Sequence, residues 1–142
     1  MKKVVPICLL LVATTALADS LEEKQFWKRQ RDYIDQSLKT AEKACGVKFV
    51  FDWENAATLR AETEKTKHSP NGVCTSVIDA VARICRIGAD EKSTVAAKIT
   101  GFSCGFAKPR SLELDGKIVR YRGNNSEPNF DPWANTWLLK HL

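Results

Sequence analysis

The chain has 142 residues, of which 44% are hydrophobic and 27% charged, with 22 basic and 17 acidic side chains and a formal charge of +5. That length suits one domain with its own core and is too short for two ordinary ones. So mild a cationic excess is no footprint of nucleic-acid binding, and beyond the N-terminus no stretch is apolar enough to cross a membrane.

The N-terminus reads as charge, then oil, then small residues. Lys2 and Lys3 precede an apolar run from Val4 to Val12, and Ala16-Leu17-Ala18 stands before the polar Asp19. This is the pattern of a signal peptide over residues 1–18, cleaved after Ala18. A membrane anchor needs about 20 apolar residues, whereas this run contains Pro6 and ends in Thr14-Thr15. Removal takes Cys8, Lys2 and Lys3 with it, lowers the formal charge from +5 to +3, and leaves residues 19–142 as a single domain. The expected location is the periplasm or the extracellular space.

Asp19 or Ser20 can cap a helix over roughly residues 20–45, with Ile34, Leu38, Ala41 and Cys45 at helical spacing and Gly46 as its stop. Val47 to Phe51 reads as a strand with Val47, Phe49 and Phe51 on one face. Asp52 is a candidate cap for a second helix reaching Lys67, and residues 68–72, His-Ser-Pro-Asn-Gly, form a turn. A third helix is expected from Val73 to Ile87, with Cys74, Val77, Ile78, Val81, Ile84 and Cys85 along one stripe. A short helix over Asp90–Ala97 and a strand over Lys98–Phe106 follow. Ser111–Leu114 and Lys117–Arg122 flank Asp115-Gly116 as a hairpin with a type I′ turn, which sets Leu112 opposite Val119 and puts Leu114 and Tyr121 on one face. Asp131-Pro132 begins a last helix through Trp133, Trp137 and Leu138.

Cys45, Cys74, Cys85 and Cys104 remain after processing. An even count in an oxidising compartment implies two disulfides, and the closely spaced pairs of a zinc site are absent. Eleven helical residues separate the α-carbons of Cys74 and Cys85 by about 16 Å, beyond the roughly 7 Å limit of a disulfide. Of the two connectivities left, Cys45 with Cys74 and Cys85 with Cys104 is the expectation, because the strand after Cys45 should carry the chain about 17 Å and leave Cys45 beside the start of the third helix.

Cys45-Gly46, Phe51-Asp52-Trp53, the helix between Cys74 and Cys85, the segment from Lys98-Ile99 to Cys104, and the Leu-x-Leu-x-Gly-x-x-x-x-Tyr hairpin from Leu112 to Tyr121 together resemble a loose set of small exported bacterial proteins with two disulfides. The resemblance covers most of residues 19–142. It implies a coherent fold and carries no activity.

Candidate chemistry is sparse. Gly101-Phe102-Ser103-Cys104-Gly105 matches the G-x-S-x-G of a nucleophile elbow, and Asp115 or Asp131 and then His141 follow in hydrolase order. That elbow needs a strand, a tight turn and a helix, whereas Ser103 lies inside an apparent strand. His68 and His141 have no second ligand at helical spacing, so no metal or cofactor is expected. Asp52 with Glu54 and Glu62 with Glu64 are the paired carboxylates, and a cap and a solvated helix face account for them. Arg110, Lys117, Arg120 and Arg122 gather on the hairpin, where they either hold an anion or guard a sheet edge. Trp133 and Trp137 share a helical face that either meets a partner or docks the helix.

The expectation is therefore an α+β fold: a long N-terminal helix and a helical pair packed on a small, mainly antiparallel sheet, with a C-terminal helix and two disulfides. The expected function is a non-enzymatic binding module that meets an anionic cell-surface polymer or another protein through Arg110, Lys117, Arg120, Arg122, Trp133 and Trp137. The alternatives are a small secreted serine hydrolase using Ser103 and a structural accessory protein of the envelope.

Overall fold

The structure is a computed structural model that describes residues 11–67, 69–124, 126–127 and 130–142, with side chains from residue 21 onward. The elements run α1 Leu11–Cys45, β1 Val50–Trp53, α2 Ala56–Thr66, α3 Pro70–Ile84, α4 Ala89–Lys98, β2 Gly101–Phe106, β3 Ser111–Asp115, β4 Ile118–Gly123 and α5 Phe130–His141. The fold is α+β, with a long first helix, a last helix and two disulfides.

α1 already covers residues 11–20 rather than beginning near residue 20, because no proline or glycine interrupts residues 11–45 and Asp19 and Ser20 are carried inside the helix. Its residues 30–45 lie beside α3, and the two helices run in the same direction. At one end the Gln30 carboxamide oxygen accepts from Ser69 Oγ (2.6 Å) and from the Asn71 amide (3.3 Å). At the other end Cys45 is bonded to Cys85, with α-carbons 5.1 Å apart. Cys74, in the first turns of α3, is bonded to Cys104 of β2.

The exclusion of Cys74 with Cys85 therefore holds, but the expected pairs are exchanged. β1 runs back along α1: Glu42 accepts from the Phe49 amide (3.1 Å), Arg31 Nη1 donates to the Phe51 carbonyl (3.2 Å), and the rings of Trp27 and Trp53 are 5.3 Å apart. The return strand delivers the chain to the Trp27 end of α1. Helix α3 accordingly starts far from Cys45 and finishes beside it.

The sheet has the order β1-β2-β4-β3. It is mixed rather than mainly antiparallel, since β1–β2 and β2–β4 are parallel and only β3–β4 is antiparallel. Three helices separate β1 from β2, which permits the first parallel pair. The second arises because β3 takes the edge and β4 folds back between β3 and β2.

Local boundaries move for identifiable reasons. The strand after Gly46 begins at Val50, and Asp52 lies within it while α2 starts after Asn55, whose φ is 50°. α3 begins three residues earlier than its periodic stripe, at Pro70, because proline's fixed φ suits the first helical position. His68, at the expected turn, lies outside the described residues. In the hairpin, Leu112 faces Tyr121 and Leu114 faces Val119, with Asp115 opposite Ile118. The loop is thus Gly116-Lys117, with the positive φ (60°) at Gly116 alone, as a type II′ turn requires. A register shift of two leaves every side chain on its expected face.

The inner face of the sheet presents Phe102, Cys104, Leu112, Val119 and Tyr121 to a core completed by Ile34, Leu38, Val77, Ile78, Val81, Val95, Ile99 and Leu138. Each fully buried aliphatic or aromatic side chain stabilises this arrangement by about 1.5–3 kcal/mol relative to exposure. No helix of the described residues is long and apolar enough to cross a membrane. Two disulfides accord with a protein outside the cytoplasm.

Candidate functional site

The alternation of β4 turns Arg120 and Arg122 to the outer face, opposite Val119 and Tyr121. Glu54, one residue past β1, reaches over the sheet to meet them. Its carboxylate accepts from Arg122 Nε at 2.6 Å and from Ser103 Oγ at 2.8 Å, and Arg120 Nε is 3.4 Å away. The second guanidinium nitrogens continue outward, Arg122 to Glu113 and Arg120 to Asp115, each at 3.1 Å. Burial works against the Glu54 charge, but the bonds from Arg122 and Ser103 and the two arginine charges outweigh it and hold its carboxyl below the ordinary range. Two arginines thus face three carboxylates, and their charge is spent within the sheet face.

Gly101 and Gly105 of the G-x-S-x-G segment have packing reasons. A β-carbon on Gly101 would lie 2.5 Å from Val50 Cγ2, and one on Gly105 would lie 3.0 Å from Glu54 Cβ. Ser103 bonds Glu54 on the outer face, whereas His141 Nδ1 bonds the Trp137 carbonyl at 2.7 Å and Asp131 pairs with Arg83 at 3.7 Å. No hydrogen bond or ion pair among the described residues joins Ser103, Asp131 and His141. The carboxylate pairs are likewise divided: Asp52 accepts from the Trp53 amide, Glu62 approaches Lys65, and Glu64 binds Arg60. Among the described residues no three His, Cys, Asp or Glu side chains are grouped to hold a metal.

Arg110 leaves the other hairpin cations. Its guanidinium lies 4.4 Å from the Trp133 ring centroid and 5.7 Å from that of Phe130, while Trp133 rests against Tyr121. Glu127 accepts from the Arg110 amide at 2.8 Å. Trp133 is half-buried on the core, and Trp137 stacks on His141 at 3.9 Å. The structure therefore joins Arg110 to Trp133, places Arg120 with Arg122 on another face, and leaves Lys117 at the exposed turn and Trp137 further along α5.

A different set of cations gathers where Cys45 meets Cys85. A shallow groove of about 610 Å³ is lined by Gln36, Lys39, Thr40, Lys43 and Ala44 of α1 and by Arg86, just after α3. Lys39 and Lys43 also border the adjoining hollow that contains Gly46, over which Lys92 of α4 lies. Among the described residues, Lys39, Lys43, Arg86 and Lys92 form no ion pair, and all four are exposed. Glu42, among the described residues the one carboxylate lining the two hollows, is held by Lys48 at 2.8 Å, and the bonds from Lys48 and the Phe49 amide keep its carboxyl below the usual range.

Sequence reasoning missed this groove. Lys39 and Lys43 are one helical turn apart, a signal present in the chain, but Arg86 and Lys92 join them only through the Cys45–Cys85 pairing. Compared with protein-family models, curated proteins and solved structures, the chain matches none.

Proposed function

We propose that this protein is an exported, non-enzymatic binding module that holds an anionic cell-surface polysaccharide in the groove between α1 and the turn after α3. The reading rests chiefly on Lys39, Lys43 and Arg86, which line one groove, and on Lys92 beside Gly46 of the adjoining hollow, four cations without ion-pair partners among the described residues. Unpaired, exposed ammonium and guanidinium groups attract a polyanion without first breaking internal bonds, unlike Arg120 and Arg122, whose transfer to a ligand would leave Glu54 stranded. The charge, apolar run and small residues of positions 2–18 support export, and the two disulfides suit an oxidising compartment.

The test is a calorimetric titration of the exported protein with heparin, as a representative acidic polysaccharide, and with neutral dextran. Heparin is expected to bind at low salt and to be released as ionic strength rises, because screening shortens the reach of exposed charges to about 10 Å at 0.1 M. Dextran is expected not to bind. Equal affinity for both, or heparin binding indifferent to salt, overturns the reading.

A further inference from the structure

A second concavity, independent of the basic groove, lies at the C-terminal ends of β2 and β4, between α2 and the start of α3. It encloses about 480 Å³, within the range of small-ligand sites. Leu59, Val73, Phe106 and Gly123 supply an apolar floor, and Lys65 and Lys108 stand at its margin. Glu62 is drawn towards Lys65 at 3.9 Å, while Lys108 forms no ion pair among the described residues.

Behind the floor is an unspent donor. Tyr121 is 2% exposed, and its hydroxyl has no hydrogen-bond partner among the described residues. A buried hydroxyl without a partner costs about 1–3 kcal/mol. The hydroxyl lies against the seam between Gly123 and Val73: a β-carbon on Gly123 would be 2.8 Å from it and 2.8 Å from Val73 Cγ1. Both residues line the cleft, so the hydroxyl lies directly behind its wall, separated from the cleft by the Gly123–Val73 seam.

We infer that this cleft binds an amphipathic carboxylate with an inner carbonyl group, of the kind found in N-acyl amino acids. The apolar chain lies on Leu59, Val73 and Phe106, the carboxylate meets Lys65 and Lys108, and, with Val73 turned to another rotamer, the carbonyl accepts from Tyr121. A cationic amphiphile lacks the complement to the two lysines, and a simple fatty acid, with its carboxylate on the lysines, lacks an inner acceptor for the hydroxyl.

The probe is N-octanoylglycine, titrated into the protein by calorimetry and followed by amide chemical shifts, with decanoate and octylamine as comparisons. N-octanoylglycine is expected to bind one to one, with the largest shifts at Val73, Phe106 and Gly123, more tightly than decanoate and far more tightly than octylamine. Replacing both lysines, Lys65→Ala with Lys108→Ala, leaves thermal stability intact and weakens binding about tenfold. Tyr121→Phe weakens N-octanoylglycine about fivefold and decanoate hardly at all, as loss of one hydrogen bond to the carbonyl requires. No saturable binding, equal binding of octylamine, or shifts confined to another surface overturns the inference. An equal effect of Tyr121→Phe on both carboxylates removes the hydroxyl from it; should that variant fail to fold, the lysine variant and the shift map decide.

Discussion

Cys45 and Cys85 close the same end of two helices that run in parallel, and the bridge between them sets Lys43 and Arg86 on the two walls of one groove. The bond is thus both a clamp on α1 and α3 and the element that assembles the cationic surface. Neither helix carries that surface alone.

Opening this bridge should therefore reach both stability and binding. The paired change Cys45→Ala with Cys85→Ala is expected to lower unfolding free energy by about 2–4 kcal/mol in urea. Without urea, where the variant is still folded, its affinity for heparin should also fall. Loss of stability with undiminished heparin binding would separate the two roles and contradict the assembly argument.

Glu54 anchors the outer face through Arg122, Ser103 and Arg120. Glu54→Gln leaves two arginines short of their central acceptor and should destabilise the fold at neutral pH by about 1.5–3 kcal/mol, the worth of a hydrogen bond to a charged group. Its carboxyl is held below the ordinary range, so the stability it confers is present above the unfolded-state pKa and is lost as pH falls through the lower folded-state value. Denaturation at pH 7 and at about pH 3 should show the gap between wild type and variant closing on acidification.

Asp79 behaves with the opposite sign. Burial raises its carboxyl above the ordinary range, with Asp131 adding repulsion, against the favourable Ser37 bond and the charges of Arg83 and Arg86. An acid whose folded-state pKa is raised costs stability once pH exceeds its unfolded value, and the cost is relieved as pH falls back through the folded value. Asp79→Asn is expected to raise the thermal midpoint slightly at pH 7 and to lose that advantage in acid. A lower midpoint at pH 7 would show that the charge is used.

Gly101 tests the close approach of β1 to β2. Its missing β-carbon makes room for Val50 Cγ2 and for the Val50 carbonyl, which would lie 2.5 and 2.7 Å away. Backbone cannot move aside as a flexible side chain does, so Gly101→Ala should destabilise the protein by about 1–3 kcal/mol. Adding Val50→Ala should recover only the side-chain part of that loss.

Local features of this fold were legible in the chain, and long-range ones were not. The stripe from Val77 to Ile84 and the two-residue alternation of Leu112, Leu114, Val119 and Tyr121 announce their buried faces whatever surrounds them. The impossibility of Cys74 with Cys85 follows from helix rise alone. Which end of α1 meets which end of α3 depends instead on the direction of β1, and nothing within Val50–Trp53 states it. The hairpin cations show the same limit: Arg122 is neutralised by a glutamate 68 residues earlier in the chain. Without that contact the hairpin carries the densest local positive charge, whereas Lys39, Lys43, Arg86 and Lys92 are scattered over more than fifty residues of the chain.

The most direct measurement compares charge reversal in the groove with charge reversal at the hairpin turn. Lys43→Glu with Arg86→Glu and, separately, Lys117→Glu would be eluted from immobilised heparin by a salt gradient, after thermal unfolding has shown each variant folded. The groove variant should elute at markedly lower salt than wild type, with Lys117→Glu close to wild type. Unchanged elution of the groove variant, or a larger shift for Lys117→Glu, would contradict the assignment of the anionic partner to the groove.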